Sequence, residues 1–228
     1  MNPPKWTAAP IIPERSEDQL LQGSLRFYEA MQRRRTIRDF SNRPIAREVI
    51  ENCVRAAGTA PSGANLQPWY FVAVNDPSIK QQIRHAAEIE EKEFCERRAP
   101  KEWLEALAPL GTNSNKPFLE IAPWLIAVFV QPFLVNPDGS RSKAYYAIES
   151  VGIATGFLVA AVHACGLAAL THTPSPMAFL NRILNRPTHE KAFLLLVVGH
   201  PAENARVPDI DRKPLDAIST VMSSRIQE

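Results

Sequence analysis

Apolar and polar residues alternate along the first part of the chain with the spacing of amphipathic helices. Apolar side chains recur every three to four positions over residues 17–32 and again over residues 45–57. This spacing puts the apolar side chains on one helix face, which can pack against a core. A third helix is predicted over residues 78–96, which are charged, rich in helix-forming residues and preceded by a turn at residues 75–77.

Short apolar runs separate these helices and predict buried strands. The runs lie at residues 69–74, 124–130, 167–170 and 192–199. Helices and strands are interleaved along the chain, and the tight-turn signals of an all-antiparallel sheet are absent. The pattern alone therefore leaves both an α+β and an α/β fold open.

The run from residue 142 to residue 165 differs from the other predicted helices because it is apolar on more than one face. It carries Ile148, Val151, Phe157 and Val162, with Ala, Gly and Ser between them. A helix that is apolar all round must be buried on most of its sides. In a chain of this size a second copy of the same helix can provide that burial, so we expect a homodimer.

Length and composition indicate a soluble globular protein. The chain has 228 residues, of which 45% are hydrophobic and 22% are charged, and this is enough for one large core. No repeat or linker marks a boundary, so we expect a single domain over residues 16–228. Residues 1–15 are rich in proline and are expected to form an N-terminal arm, with the pattern of neither a signal peptide nor a membrane anchor.

Charge and cysteine content narrow the classes of partner. The chain has 26 basic and 24 acidic side chains, a balance that does not favour nucleic acid or a membrane surface as the main partner. Cys53, Cys95 and Cys165 lack metal-ligand spacing, so no metal site is expected. An odd number of cysteines also argues against a disulfide framework and favours the reducing cytoplasm.

The densest cationic cluster lies at residues 33–38 and holds four arginines and Thr36. Guanidinium groups bind phosphate oxygens in a bidentate way, and a threonine hydroxyl can add another donor. The cluster therefore suggests a phosphate-bearing ligand. Taken alone, it is equally typical of a solvated basic turn or of a patch that binds nucleic acid.

The segment at residues 58–69 joins a predicted helix to a predicted strand and is rich in small residues and proline. Small residues allow backbone N–H groups to approach a ligand closely, so the segment is a candidate cofactor loop. It has no phosphate-loop or dinucleotide-binding glycine pattern. An ordinary turn-rich connection is the alternative.

Several motifs, in this order, resemble the nitroreductase superfamily and, within it, the iodotyrosine deiodinase branch. They are Arg-Arg-Thr-Ile-Arg at residues 34–38, Ala-Pro-Ser-Gly-Ala-Asn-Leu-Gln-Pro-Trp at 60–69, Thr-His-Thr-Pro at 171–174 and Pro-Asp-Ile-Asp-Arg-Lys-Pro-Leu-Asp at 208–216. The resemblance extends from about residue 30 to about residue 220. It implies an α+β fold with a central mixed sheet flanked by helices, and an intertwined homodimer with two FMN sites at its interface.

The resemblance also implies which residues bind FMN. Those expected at the phosphate and the ribityl chain are Arg34, Arg35, Thr36, Arg38 and Arg212. Those expected beside the flavin ring are Pro61, Ser62, Thr171, His172 and Thr173. Within this set the Thr173 hydroxyl is expected to hydrogen-bond flavin N5 and to favour stepwise electron transfer, which makes Thr173 the candidate catalytic residue. His172 is expected to have a packing role.

A lid over the substrate is implied at about residues 88–117, although composition alone is typical of a solvated charged helix. In the family, a Glu, a Tyr four residues later and a more distant Lys hold the ammonium and carboxylate of the amino acid. Counting along this chain places Glu91, Cys95 and Lys116 at those positions, so the Tyr is replaced by Cys. The backbone N–H of Ala64 is expected to contact the phenolate.

These residues lead to one main functional hypothesis, an FMN-dependent reductive dehalogenase acting on halotyrosines. The alternative is a broad nitroreductase that uses NAD(P)H to reduce nitroaromatics or acts on halophenols. Electrons are expected from NAD(P)H or from a separate reductase. A flavin-sequestering protein would leave the lid charges without a purpose, and nucleic-acid binding conflicts with the balanced charge.

Overall fold

The computed structural model describes residues 5–222 of the chain. Its helices are α1 (Glu17–Arg33), α2 (Arg47–Gly58), α3 (Pro77–Glu93), α4 (Lys101–Leu107), α5 (Phe118–Ile121), α6 (Ala147–Ala164) and α7 (Ala178–Ile183). Its strands are β1 (Trp69–Val74), β2 (Trp124–Val130), β3 (Phe133–Val135), β4 (Arg141–Lys143), β5 (Ala168–His172) and β6 (Lys191–Gly199). The predicted helices and strands are all present, and the α+β fold is confirmed.

The central sheet has the strand order β1-β2-β6-β5, and its neighbouring strands are antiparallel. Parallel pairing in the part of the chain that the structure describes is limited to one bridge, between Thr36 and Ala169. The sheet is therefore antiparallel and not mixed as expected, and the parallel bridge only places the segment after α1 beside β5. This pairing places the arginine motif against the strand that leads to Thr173.

Helices cover both faces of the sheet, so β2 is buried along its whole length. On one face Ile126 and Val128 pack with α2 and α6. On the other face Leu125 and Phe129 pack with α3, α5 and α7. This double burial explains why β2 reads as a continuous apolar run rather than as an alternating one.

The apolar helix begins at Ala147, five residues later than the sequence pattern indicates. Ser142 and Lys143 instead pair with β3 in a short hairpin. Tyr146 has a left-handed backbone (φ 53°, ψ 37°), which prevents the helix from extending toward the hairpin. Composition does not report such a break, so the predicted start at residue 142 was wrong.

One face of α6 packs in the core, and another is exposed. Val151, Leu158 and Val162 are fully buried against the sheet and α2, whereas Ile148 and Phe157 are 64% and 43% exposed. By length and composition alone α6 could cross a membrane, and 39% of that span is buried inside the protein. The core contacts identify it instead as the central helix of the domain.

The N-terminal part of the chain lies on the surface. Ser16 caps α1 through a reciprocal pair of hydrogen bonds with Gln19, yet no residue of α1 is buried. Residues 5–15 precede it without helix or strand and are exposed, and residues 1–4 of the expected arm lie outside the described residues. The division into an arm and a single domain stays a prediction.

Candidate active site

The end of β5 presents the Thr171–Thr173 segment in strand alternation. Thr171 and Thr173 are exposed on one side, and His172 points to the other side and is buried. Pairing with β6, where His172 lies opposite Leu195, fixes the strand up to this point. Thr171 and Thr173 therefore have defined positions at the edge of a rigid sheet.

His172 packs edge-on against Phe118, with ring centroids 5.7 Å apart and an interplanar angle of 82°. Its Nε2 atom is buried without a hydrogen-bond partner among the described residues. Burial, together with the nearby charges of Lys116 and Arg38, lowers the pKa of His172 to about 3. The imidazole is therefore neutral at physiological pH, in agreement with the packing role expected for it.

Three of the predicted phosphate arginines lie together although they come from opposite ends of the chain. The Arg212 guanidinium donates to the carbonyl oxygens of Gln32 (3.0 Å) and Arg34 (2.6 Å), and Arg35 donates to the carbonyl of Pro208. Burial and the neighbouring charges of Arg212 and Arg35 lower the pKa of Arg34. Within residues 5–222 none of these arginines forms a salt bridge, so the cluster has the excess positive charge that suits a phosphate.

A cavity of about 550 Å³ lies between the end of β5 and the predicted lid. Arg38, Thr171, His172 and Thr173 line one side of it. Arg38 is half-buried, and burial lowers its pKa. Arg34 and Thr36 lie around a neighbouring pocket that Thr171 also borders, so these predicted cofactor residues meet at β5.

Glu91 and Lys116 line the lid side of the same cavity, where the structure brings them together as an ion pair. The Lys116 Nζ donates to Glu91 Oε1 at 2.8 Å. The two side chains are only 5% and 18% exposed. A half-buried pair of opposite charges is a suitable receptor for a zwitterion, because each charge can exchange its partner for the opposite end of the ligand.

Cys95 does not border this cavity among the described residues; Phe94 does. Helix α3 ends at Glu93 and continues as a π-helical turn at Phe94–Arg98. The backbone from Glu91 to Phe94 is still α-helical, so Cys95 follows Glu91 by about one turn although it does not line the cavity. A substrate contact for Cys95 remains a prediction.

Pro61, Ser62 and Ala64 lie on a loop that does not line this cavity. Ala64 has a left-handed backbone (φ 51°), as do two neighbouring non-glycine residues, Asn65 and Gln67. Such conformations are costly and are found mainly where a loop is shaped for a ligand or a partner. The loop lies beside the start of α6, where a Cβ on Gly63 would be 2.8 Å from the Tyr145 carbonyl oxygen.

Sequence reasoning missed the apolar lining of the lid. Phe94, Trp103 and Leu107 from the lid, together with Phe118, form an aromatic and aliphatic wall opposite the threonines. Their only signal in the sequence is apolar residues within a charged segment.

Among residues 5–222 no group of three or more His, Cys, Asp or Glu side chains is placed to hold a metal ion.

The fold and this cavity agree with the comparison to known families. The chain belongs to the nitroreductase family, whose model matches residues 31–200. The resemblance inferred from the motifs is thus confirmed at the level of the family, and the relatives named below make it more specific.

Curated relatives belong to the iodotyrosine deiodinase branch. The chain is 58% identical over 204 residues to the iodotyrosine deiodinase of Haliscomenobacter hydrossis, covering 90% of this chain and 92% of that protein. It is 43% identical to iodotyrosine deiodinase 1 of Homo sapiens over 203 residues, covering 89% and 70% of the two chains.

Solved structures agree with both the family and the branch. A crystal structure of oxidized iodotyrosine deiodinase bound to FMN and 3-iodo-L-tyrosine matches with a TM-score of 0.69 and 30% identity, covering 87% of this chain and 98% of that one. A nitroreductase with bound FMN from Bacteroides fragilis matches with a TM-score of 0.61 and 19% identity, covering 87% and 98%. The second likeness shows the shared fold alone.

Proposed function

We propose that this chain is an FMN-dependent reductive dehalogenase that acts on halotyrosines, with 3-iodotyrosine as the model substrate. The observation that carries the proposal is the half-buried Glu91–Lys116 ion pair on the cavity that Thr173 borders. In this arrangement the Glu91–Lys116 pair can bind a zwitterion on the side of the cavity opposite Thr173, where the flavin is expected. The iodotyrosine deiodinase relatives support the same assignment.

The described residues fit FMN. The cluster of Arg34, Arg35 and Arg212 carries excess positive charge for the phosphate dianion, and Arg38 adds a half-buried cation at the cavity. Charge-assisted hydrogen bonds of this kind contribute about 1.5–3 kcal/mol each when partly buried. When bound, FMN supplies the two electrons that, with one proton, convert an aryl iodide to the arene and iodide.

The chain's own groups then have separate roles in the reaction. Thr173, exposed at the end of β5, is the proposed catalytic residue, whose hydroxyl favours stepwise electron transfer. Glu91 receives the substrate ammonium, Lys116 receives its carboxylate, and Phe94 contributes to the apolar wall around the aromatic ring. His172 does not supply the proton, because its lowered pKa leaves it neutral.

The proposed site includes two chains. Pro61, Ser62 and Ala64 are expected at the flavin and the phenolate, yet within one chain their loop lies away from the cavity that Thr173 borders. A partner copy packed on the exposed apolar face of α6 can bring the loop to that cavity, since the loop lies beside the start of α6.

The cysteines are free, in keeping with a cytoplasmic protein.

The test is an anaerobic titration of the dithionite-reduced holoprotein with 3-iodotyrosine and 4-nitrophenol, followed by flavin absorbance. We expect 3-iodotyrosine to reoxidise the flavin and release one iodide and one tyrosine per FMN. Reoxidation by the nitrophenol but not by 3-iodotyrosine contradicts the proposal. So does a heat-released cofactor other than FMN.

One observation favours a second candidate, a reductase of nitroaromatics or halophenols that takes electrons from NAD(P)H. Cys95 stands where the family has a Tyr, and it does not line the cavity among the described residues. The amino-acid end of the site therefore lacks one hydroxyl, which reduces the advantage of a halotyrosine over a simple phenol. Reoxidation of the reduced flavin by 4-nitrophenol at least as readily as by 3-iodotyrosine favours this second function.

A further inference from the structure

The two ends of the lid are joined by hydrogen bonds that lie outside the cavity. Glu88 Oε1 accepts from the Arg84 Nε (2.7 Å) and from the backbone N–H of Lys116 (2.7 Å). Arg84 also donates to Asn115 Oδ1 at 2.9 Å and lies 3.5 Å from Glu120. We refer to Arg84, Glu88 and the Lys116 backbone as the lid clasp. It closes a loop between residues 28 positions apart.

Helical periodicity explains why the clasp and the ion pair of the cavity act on the same lysine. Arg84, Glu88 and Glu91 are spaced by four and three residues along α3, so their side chains share one face of the helix. Glu88 holds the Lys116 main chain, and Glu91 holds its ammonium. One helix face therefore fixes this lysine at both ends.

The surroundings make these contacts stronger than ordinary surface pairs. The Arg84 and Glu88 side chains are only 27% and 28% exposed, and Lys116 is buried. Burial raises the pKa of Glu88, but hydrogen bonds from Arg84 and from the Lys116 N–H outweigh burial, so the net pKa lies below its usual value. Glu88 is the acceptor of this partly buried Lys116 N–H among the described residues, and an N–H left without an acceptor is costly, so the position of Lys116 depends on Glu88.

We infer that Glu88 is a positioning residue for amino-acid recognition: it sets the Lys116 ammonium against Glu91 so that the pair can receive a zwitterion. The inference rests on the proposed function, because it assigns a cause to the preference for halotyrosines over simple halophenols. Glu88 does not line the cavity among the described residues and touches no expected FMN contact. Its replacement therefore changes substrate selection and leaves the redox chemistry intact.

The experiment compares Glu88→Ala and Glu88→Gln with wild type. Kd values for 3-iodotyrosine and 2-iodophenol are measured on each oxidised holoprotein by quenching of FMN fluorescence. Glu88→Ala is expected to raise the Kd for 3-iodotyrosine roughly tenfold and to leave 2-iodophenol within about twofold. Glu88→Gln keeps an acceptor for the Lys116 N–H and should therefore lose less, about threefold.

Glu90→Gln is the matched control. Glu90 lies on the same helix and pairs with Arg98 at 3.1 Å, but it does not contact Lys116. It should leave both Kd values unchanged. Hydrogen exchange at the Lys116 amide gives a readout without substrate, and we expect it to accelerate in Glu88→Ala but not in Glu90→Gln.

The outcomes separate this inference from the proposed function. Wild type that binds both ligands equally well overturns the proposed function and this role with it. Wild type that prefers 3-iodotyrosine, with the preference retained in Glu88→Ala, overturns this inference alone. Equal weakening of both ligands in Glu88→Ala also overturns it, because a general loss of structure would then be the cause.

Discussion

The two walls of the cavity differ in what holds them in place. The wall at the end of β5 belongs to a sheet whose strand β2 is buried along its whole length. The lid wall is held by the clasp and by the Glu91–Lys116 pair, its α4 carries only exposed pairs such as Lys101–Glu105 at 3.9 Å, and its Trp103 is 53% exposed. Exposed ion pairs contribute at most about 1 kcal/mol each.

In the proposed function, this difference separates reaction from selection within one chain. Groups that handle a cofactor must keep their geometry, and the sheet provides that rigidity. Groups that admit and enclose a substrate must be able to move, and a segment with few buried contacts opens at low cost. Changes in the lid, such as Cys95, can therefore alter the substrate without loss of the fold.

The largest expected effect is a loss of FMN binding at the arginine cluster on the sheet side of the cavity. Replacing Arg34 and Arg212 together with Ala removes two of the clustered guanidiniums and should weaken FMN binding by about 10²–10³-fold, since each charge-assisted bond is worth about 1.5–3 kcal/mol before solvent screening. FMN retained after desalting and the Kd of FMN measure this. The control is the double variant Arg33→Ala, Lys213→Ala, which removes the same amount of positive charge at neighbouring positions. An equal loss of FMN affinity in this control contradicts a specific phosphate site.

The next prediction separates the two reactions on the sheet side. Thr173→Ala should slow release of iodide from 3-iodotyrosine by at least about tenfold, because the hydroxyl favours stepwise electron transfer, while nitrophenol reduction changes little. Single-turnover rates of the reduced variant with each substrate check this. Thr173→Ser retains the hydroxyl and should recover the rate. Equal slowing of both reactions indicates a defect in flavin binding instead.

A change in the lid should leave the chemistry intact and alter selection. Glu91→Gln removes the partner of the substrate ammonium and should raise the Kd for 3-iodotyrosine by about tenfold, with 2-iodophenol within about twofold. Fluorescence titration of the holoprotein with both ligands measures the ratio. If the phenol is weakened as much as the amino acid, Glu91 supports the lid as a whole rather than the zwitterion.

The smallest effect concerns His172, where the two walls meet through its contact with Phe118. Its pKa of about 3 is lower than in the unfolded chain, so below about pH 6.5 the unfolded state takes up a proton that the folded state does not. From pH 6.5 to pH 5.5 the free energy of unfolding should fall by about 1 kcal/mol more in wild type than in His172→Gln. Denaturant unfolding at both pH values measures the difference. Identical pH dependence of the two proteins contradicts a neutral buried imidazole.

Much of the site could be predicted because its chemistry depends on charge and order in the sequence. Arg34 and Arg212 were assigned to one phosphate site by motif, and Arg212 donates to the Arg34 carbonyl oxygen, while their contact with a phosphate stays a prediction. Glu91 and Lys116 were paired in the same way and are 2.8 Å apart. Opposite charges and phosphate-binding groups have few alternative partners, so residue type alone is informative.

Other features depend on backbone geometry, which residue type reports poorly. The left-handed Tyr146 moved the start of α6, and Phe94 rather than Cys95 lines the cavity. The clasp was also missed, because one of its two bonds uses the backbone N–H of Lys116, which every non-proline residue has. Such contacts become visible only when the path of the chain is known.

The proposed division of roles is that the lid selects an amino acid for a reaction that the sheet side performs. It is tested most directly by the ratio of the Kd values of wild-type holoprotein for 2-iodophenol and 3-iodotyrosine, measured by quenching of FMN fluorescence. The two ligands share the iodophenol ring and differ at the zwitterion, so the ratio isolates the lid. We predict that 3-iodotyrosine binds at least about tenfold more tightly, the value of one charged hydrogen bond. Equal binding, or tighter binding of the phenol, contradicts the account.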